Sequence, residues 1–557
     1  MNYIFIAFEN LHEGIGTGHI ARIKKVIKEL VSKHGPSIKV KFITNHKTSE
    51  KYYQHLLVSN EFEALKELAE IIDTEKIDAV VFDALDYCKD LYILTKQQNI
   101  FTVGIDTSSK ESELLDTLIN PVISNERSHL NGPMYSVHYE ASSYKGSNMI
   151  VSKKKKKIFI CFGGHDHQNH LEKIFKLEIF NSENYEVNVV LSNNTTDAII
   201  REKKTFKILR NPKNFYELLM TSDIALISGG VLLQEALYLG IPSIVLPQYE
   251  HQKKAATERK SKGEVLECLN LDSDVQDIEN SIKNNVNKLD KHQTVSLAAR
   301  SSDDGFGLKR LTGILSIFSK LEWDSQFFGK VIYSLNTKSF NETINKKLNK
   351  AISKNSIDLV YFLCPATNKT AVNFSVENGF KIVDERLTFL VNRNNFIPHK
   401  AIDGFAVQKC TASDKDEVEA IARETIWPSR YYKDDNFCRN DLKNFYGEWI
   451  TKSIDGKLDD VVLKISSGNE LCGFISLKKN GLNFGSIGLI GISNKFQGLG
   501  LGTYLVSFGV EYMFQMFNCV AVEVVTQKNN LKACKAYNNV GFRISDESLW
   551  MHKWVKK

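Results

Sequence analysis

Short, continuous apolar runs alternate with stretches that carry apolar residues at helical spacing from residue 1 to about 110. The runs are "YIFIAF" (3–8), "VKFITN" (40–45), "DAVVFDA" (78–84) and "FTVGID" (101–106), with helical segments such as 60–73 between them. Unbroken β-branched runs joined by helices predict parallel strands buried on both faces. The pattern resumes with "IFICFGG" (158–164), "EVNVVLS" (186–192), "FKIL" (206–209), "IALISGG" (224–230) and "PSIVLP" (242–247). The predicted fold class is therefore α/β, with two tandem Rossmann-like doubly wound domains over 1–150 and 151–320. From about 321 the texture becomes aromatic-rich and mixed. "LEWDSQFFGKVIYSL" (321–335) reads as turn and strand, and a helix over 341–354 precedes the strand "IDLVYFLCP" (357–365). Later strands are "DVVLKISS" (460–467), "LCGFISLKK" (471–479), "FGSIGLIGIS" (484–493) and "CVAVEVVTQ" (519–527). A third, α+β domain over 321–557 is expected, its boundary around 318–322.

Composition narrows this little. The 557 residues carry 72 Lys+Arg against 66 Asp+Glu, a net charge of +6, which does not indicate a nucleic-acid-binding protein. The block "KKKKK" (153–157) reads as a solvated hinge between domains. Nine cysteines, with no C-x-x-C pair, fit reduced thiols better than a disulfide framework. Nothing resembles a secretory leader or a run of about 18 apolar residues, so a soluble, cytoplasmic protein without membrane insertion is expected. Neither chemical site has clustered carboxylates with ligand spacing, so no metal is predicted.

The first chemical signal is "GIGTGHIAR" (14–22), where the first strand hands over to the first helix. Open α/β sheets bind ligands at the carboxyl ends of their strands, and glycines there let backbone N–H groups approach phosphate. By itself the stretch reads equally as a glycine turn containing a satisfied histidine. A second signal is "SGGVLLQEALYLGIPSIVLPQYEHQ" (228–252): a glycine pair opens a helix, Glu235 follows at about the second turn, and a polar loop carries His251 and Gln252. Helix end, carboxylate and loop are placed to hold diphosphate, ribose and base in turn.

With "ICFGGHD" (160–166) and "DDGFGLKR" (303–310), these motifs resemble the GT-B-like UDP-sugar hydrolases of pseudaminic acid biosynthesis, relatives of the MurG-type glycosyltransferases. The resemblance spans 1–318. It implies that His19 of the G-x-G-H-x-x-R motif is catalytic, taking a proton from water that displaces UDP with inversion. It also implies that Gly16, Gly18, Arg22, Asp106, Gly229, Gly230, Glu235, His251 and Gln252 line the UDP-sugar site, Glu235 on the ribose. The family's "NQ" loop stands here as His251–Gln252, and its paired aspartates are reduced to Asp106 in "IDTSS". Its tyrosine-arginine segment is not recognisable in "GPMYSVHYEASS" (132–143).

The second chemical site is "ISNKFQGLGLGTYL" (492–505), with Gln497, Gly500 and Gly502 as Q-x-x-G-x-G between strand and helix. Successive N–H groups in such a loop converge on a diphosphate. A strand (520–527) and "NNLKACKAYNNVGF" (529–542) follow, with Asn530, Ala533 and Tyr537 spaced for one helix face. This order is similar to the signature of GNAT acetyltransferases. It implies acetyl-CoA as co-substrate, its pyrophosphate on 497–502 including Gly498, and its pantetheine along a splayed strand 486–493 that includes Ile492. It further implies Asn530 at the cofactor and Tyr537 as the acid that protonates the departing thiolate. Residues 321–557 resemble the branch that acetylates nucleotide-linked 4-amino-4,6-dideoxy sugars, with Trp323, Asp324, Tyr431, Tyr432, Asp434 and Asp435 as candidate sugar contacts. Together the resemblances imply consecutive steps on one nucleotide sugar, N-acetylation and then hydrolysis. The rivals are a glycosyltransferase with another acceptor and a first half that binds without turnover.

Overall fold

A computed structural model of the chain describes residues 1–557 apart from 9–17, 36–37, 48–49, 51, 84–88, 99, 108–109, 123–129, 139–154, 164–165, 167, 193–194, 196–203, 426–427, 481–482 and 556–557. It divides into two compact units, 1–315 and 316–557.

The first unit holds two parallel sheets. Strands β1 (Asn2–Ile6), β2 (Lys39–Thr44), β3 (Gln54–Leu57), β4 (Ala79–Asp83), β5 (Phe101–Ile105), β6 (Thr117–Asn120) and β7 (Leu130–Asn131) lie in the order 3-2-1-4-5-6-7. The second sheet has β8 (Lys156–Cys161), β9 (Tyr185–Leu191), β10 (Phe206–Arg210), β11 (Ile224–Ile227), β12 (Ser243–Val245) and β13 (Glu267–Cys268), ordered 10-9-8-11-12-13. Both repeat the doubly wound order, so the order of strand addition reverses between β1 and β4 in one sheet and between β8 and β11 in the other. Every residue of β4 and of β11 is buried, as continuous apolar runs require. The short strands β3, β6, β7 and β13 were not legible, because each is too brief or too polar to stand out from a loop.

The chain ends this unit by returning to its start. Helix Gly307–Leu315 packs on helix Gly18–His34, and the Tyr3 hydroxyl donates to the Leu315 carbonyl at 3.2 Å. The motif "DDGFGLKR" forms this junction. Arg310 donates to Asp304 at 2.6 Å and to the Met134 carbonyl at 2.8 Å, and buried His138 lies 2.5 Å from Asp303. Gly307 is obligatory here, since a Cβ would stand 1.9 Å from the Ser136 carbonyl oxygen.

The second unit is one ten-stranded mixed sheet. Its strands are β14 (Phe318–Lys320), β15 (Ile332–Leu335), β16 (Leu359–Pro365), β17 (Lys381–Asn392), β18 (Ala406–Lys409), β19 (Val461–Ser467), β20 (Glu470–Asn480), β21 (Phe484–Ile492), β22 (Ala521–Gln527) and β23 (Arg543–Trp554). They run 14-15-16-23-17-22-21-20-19-18. One face packs Leu387, Phe389, Val391, Val522 and Val524 with residues of helices Leu501–Met516 and Leu531–Asn539. The other packs Tyr361, Phe474 and Leu489 with helix Arg439–Ile454. Residues expected as a turn at the start of this unit form helix Glu322–Phe328, closed by Gly329 at φ 61°. Trp323, Phe327 and Phe328 all meet Phe445 there, and that packing outweighs the turn-like local sequence.

Candidate functional sites

In the first unit the strand ends surround a cavity of about 460 Å³, a size suited to a small ligand. Gly18, at the start of the first helix, and Val231, at the start of another, meet on its wall: a Cβ on Gly18 would stand 2.9 Å from Val231 Cγ2. Two helix N-termini, one from each Rossmann half, thus converge on the same space, and positive helix ends favour anions. No side chain caps helix Val231–Leu239 at Gly230. A Cβ on Gly229 would come 2.8 Å from that of Gln252, so the glycine pair admits the polar loop against the helix start. The Gln252 Oε1 accepts from the Gln248 N–H at 3.0 Å. His251 lies face to face with Tyr249 at 5.6 Å, and burial holds its imidazole below the ordinary value.

His19 lines the cavity and keeps 12% side-chain exposure, and its Nδ1 lies 2.6 Å from Oδ1 of the fully buried Asp83. A carboxylate only accepts, so the contact with Asp83 calls for a proton on Nδ1; Arg22 Nη2 also lies 3.0 Å from this nitrogen. Asp83 is kept charged by Arg22, whose Nε and Nη2 donate at 2.8 and 2.5 Å; Nη2 also reaches Asp106 at 3.2 Å. Burial alone raises the Asp83 carboxyl, but the Arg22 guanidinium and His19 outweigh it and hold it below its usual range. Asp106 takes the left-handed φ of 59° directly after β5, which turns the chain over the strand end. The arginine of the motif is therefore a clamp on the carboxylate behind the histidine. Asp83 was missed in the sequence, where the one available signal was a charge closing the apolar run "DAVVFDA".

Glu235 is buried on the cavity wall, where Tyr216 donates to it at 2.7 Å and the Lys25 ammonium lies at 3.7 Å. Neither partner was foreseen. Of the paired glycines of "ICFGGHD", Gly163 lines the cavity at φ 79°, while Gly16, Gly164, part of the lysine block and part of "GPMYSVHYEASS" lie outside the described residues.

In the second unit, β21 and β22 pair in parallel only from Phe484–Ala521 to Ile487–Val524, and beyond this the ladder ends. A bulge opposite Ser476 accompanies the split, with the Leu489 N–H donating to its hydroxyl at 2.8 Å. Past Ile492 the chain enters Gly498 at φ 85° and Gly500 at φ 80°, left-handed positions that leave helix Leu501–Met516 without a side-chain cap. A Cβ on Gly502 would meet nothing nearer than 3.9 Å, so the helix start is open to an approaching group. The Gln497 amide donates to Asn494 at 3.0 Å. These features fit a diphosphate at 497–502 and an extended arm along the split.

Asn530 is not on the helix face with Tyr537, as its spacing suggested. It is the N-cap of Leu531–Asn539, accepting from the Ala533 N–H at 3.3 Å and donating to Thr526 at 3.1 Å. Tyr537 is 4% exposed, between the rings of Phe389 and Phe542, each 5.7 Å away, and burial raises its phenol. It therefore stays protonated at neutral pH. Of the candidate sugar contacts, Trp323 and Tyr432 join the aromatic core, and Asp434 accepts from His552 at 2.6 Å and Trp554 at 2.8 Å. Asp435 is almost wholly exposed. Tyr431 donates to Asp324 at 3.2 Å. Among the described residues no group of three or more metal-ligating side chains occurs, and no helix is long and apolar enough to cross a membrane.

Residues 423–542 match the acetyltransferase (GNAT) family. The chain is 23% identical over 324 residues to the spore coat polysaccharide biosynthesis protein SpsG of Bacillus subtilis, covering 54% of this chain and 94% of that one. It is 21% identical over 260 residues to SpsD of the same organism, described by the same words, covering 45% of this chain and 87% of that one. The crystal structure of Acinetobacter baumannii MurG superposes with a TM-score of 0.42 at 12% identity, over 57% of this chain and 99% of that one. The protein thus joins two Rossmann-like halves to a GNAT acetyltransferase domain. The GNAT domain marks it as an enzyme and implies acetyl-CoA as its co-substrate.

Proposed function

We propose that the chain is a bifunctional nucleotide-sugar enzyme, with domains over 1–150, 151–320 and 321–557. The last transfers acetyl from acetyl-CoA to the 4-amine of a UDP-4-amino-4,6-dideoxy sugar. The first two hydrolyse the resulting UDP-2,4-diacetamido-2,4,6-trideoxy sugar to UDP and free sugar, as in pseudaminic-type nonulosonic acid biosynthesis in the cytoplasm. The observation that carries the hydrolase is the His19–Asp83 pair on the wall of a cavity where two helix starts meet. The kinship to SpsG and SpsD, both named for polysaccharide biosynthesis, supports sugar chemistry.

In this reading the helix start after Gly229–Gly230 receives the diphosphate, while Glu235 exchanges Lys25 for the ribose hydroxyls and frees that ammonium to meet phosphate. Nε2 of His19 takes a proton from water as the water oxygen bonds to the anomeric carbon. The bond from that carbon to the diphosphate oxygen breaks, and its electron pair leaves with UDP. Such base assistance is worth about 10²–10⁴ in rate. Fusion keeps the acetylated intermediate at raised local concentration near the hydrolase. The test supplies the UDP-4-amino sugar with acetyl-CoA and follows both products by mass. The reading expects acetylated UDP-sugar and then free diacetamido sugar with UDP. Sugar release only on adding a non-water acceptor refutes the hydrolase.

A further inference from the structure

The sheet face turned away from helices Leu501–Met516 and Leu531–Asn539 collects buried polar atoms that no described protein group satisfies. Strand alternation puts Val522 and Val524 beneath those helices and Glu523 on the opposite face. On β17 it likewise sends Leu387 and Phe389 under the helices and Arg386 across, where the charge of Glu523 acts on it. Beside Arg386 stands Arg430. Its guanidinium lies 3.8 Å from the ring centre of Trp550, 4.4 Å from that of Tyr431 and 4.7 Å from that of Tyr361. Asp384, opposite Trp550 in the ladder, is 3% exposed. Its Oδ1 accepts from the Lys433 ammonium and from the Glu385 N–H, whereas its Oδ2 has no partner. The Nε–H groups of Arg386 and Arg430 and the Tyr361 hydroxyl are also buried and unpartnered. Buried polar groups are nearly always satisfied, and several orphans at one place call for a ligand that completes them.

The set is chemically particular: one free carboxylate oxygen, two guanidinium N–H donors and a phenol, against indole and phenol rings. A carboxylate oxygen accepts from an ammonium, and guanidinium donors serve neighbouring hydroxyl or amide oxygens. We propose that this cluster is the acceptor site of the acetyltransferase, with Asp384 Oδ2 receiving the substrate amine and Arg386 and Arg430 donating to oxygens on adjoining ring carbons. The proposal rests on the acetyl-transfer reading above and names the residues that select its substrate. The ammonium gives one proton to Asp384 and becomes a neutral amine. Its lone pair forms the N–C bond at the thioester carbon, and the C–S bond breaks with its electron pair on sulfur. The nitrogen then loses its second proton to water, while sulfur gains one from the Tyr537 phenol and water reprotonates the phenolate.

The test uses the full chain with two amines, a UDP-4-amino-4,6-dideoxy sugar and free glucosamine. Asp384→Asn keeps the side-chain shape. It is expected to lose at least about 100-fold in kcat/KM, with acetyl-CoA affinity by calorimetry within twofold of the parent. Arg386→Gln is expected to raise KM at least tenfold with kcat within threefold. Acetylation by Asp384→Asn within threefold of the parent overturns the proposal, as does a parallel loss of acetyl-CoA binding, which marks a structural role. If the parent acetylates glucosamine alone and Asp384→Asn abolishes it, the UDP-sugar reading falls and the proposal stands. If the UDP-sugar is acetylated equally by both proteins, the proposal falls and the reading stands. A parent that binds and acetylates neither amine overturns both.

Discussion

Replacing Asp83 by Asn separates charge from shape at the heart of the first site. The amide retains an acceptor oxygen but no longer fixes the Nδ1–H tautomer of His19, because its NH₂ group can donate to Nδ1 and turn the imidazole proton toward the cavity. In hydrolases where a carboxylate orients a histidine base, the same exchange costs up to about 10⁴ in kcat. Here a loss of about 10³–10⁴ in UDP-sugar cleavage is expected, or about 4–5.5 kcal/mol. The stability cost has a separate source. Arg22 loses its charged, fully buried partner and the bond from Nη2 at 2.5 Å, keeping only the one from Nε at 2.8 Å to the amide oxygen. Leaving a buried charge unpaired costs about 3–5 kcal/mol. Asp106 at 3.2 Å still faces the guanidinium and brings the expected cost to the low end of that range. The assay is UDP release measured together with thermal unfolding, for Asp83→Asn, His19→Ala and the double variant. If the pair acts as one device, the double variant is no slower than His19→Ala. Cleavage by Asp83→Asn within threefold of the parent, or additive losses in the double variant, refutes the argument.

Gly307→Ala is expected to destabilise the first unit by more than about 2 kcal/mol, because its Cβ meets backbone 1.9 Å away; a chemical denaturation curve checks this. Tyr537→Phe keeps the ring packed between Phe389 and Phe542 while removing the acidic proton, so acetyl transfer falls about 10²–10⁴ with an unfolding midpoint close to that of the parent. The imidazoles of His170, His251, His292 and His552 are held below their ordinary value, chiefly by burial. Below about pH 6.5 the unfolded chain therefore binds protons that the folded chain refuses, and stability is full above that pH and declines beneath it. Thermal unfolding followed from pH 8 to pH 5 is expected to show a falling midpoint, and a flat profile refutes the assignment.

The glycine motifs were legible because what they do is local. Gly498 and Gly500 adopt left-handed φ angles that other residues rarely take, and Gly229 admits a neighbouring chain where a Cβ cannot fit. The parallel strands were legible because continuous burial on two faces leaves an unbroken apolar run. By itself, then, the sequence determined the two doubly wound halves, the mixed sheet that follows them and the glycine-bearing helix starts. Only the tertiary structure decided what stands behind each reactive group. His19 and Asp83 are 64 positions apart, Lys25 and Glu235 far more, and Lys433, the charged partner of Asp384, comes from a short helix 49 positions away. A buried charge is tolerated only where opposite charge or hydrogen bonds meet it in space, and that pairing leaves no period or spacing along the chain from which it can be read.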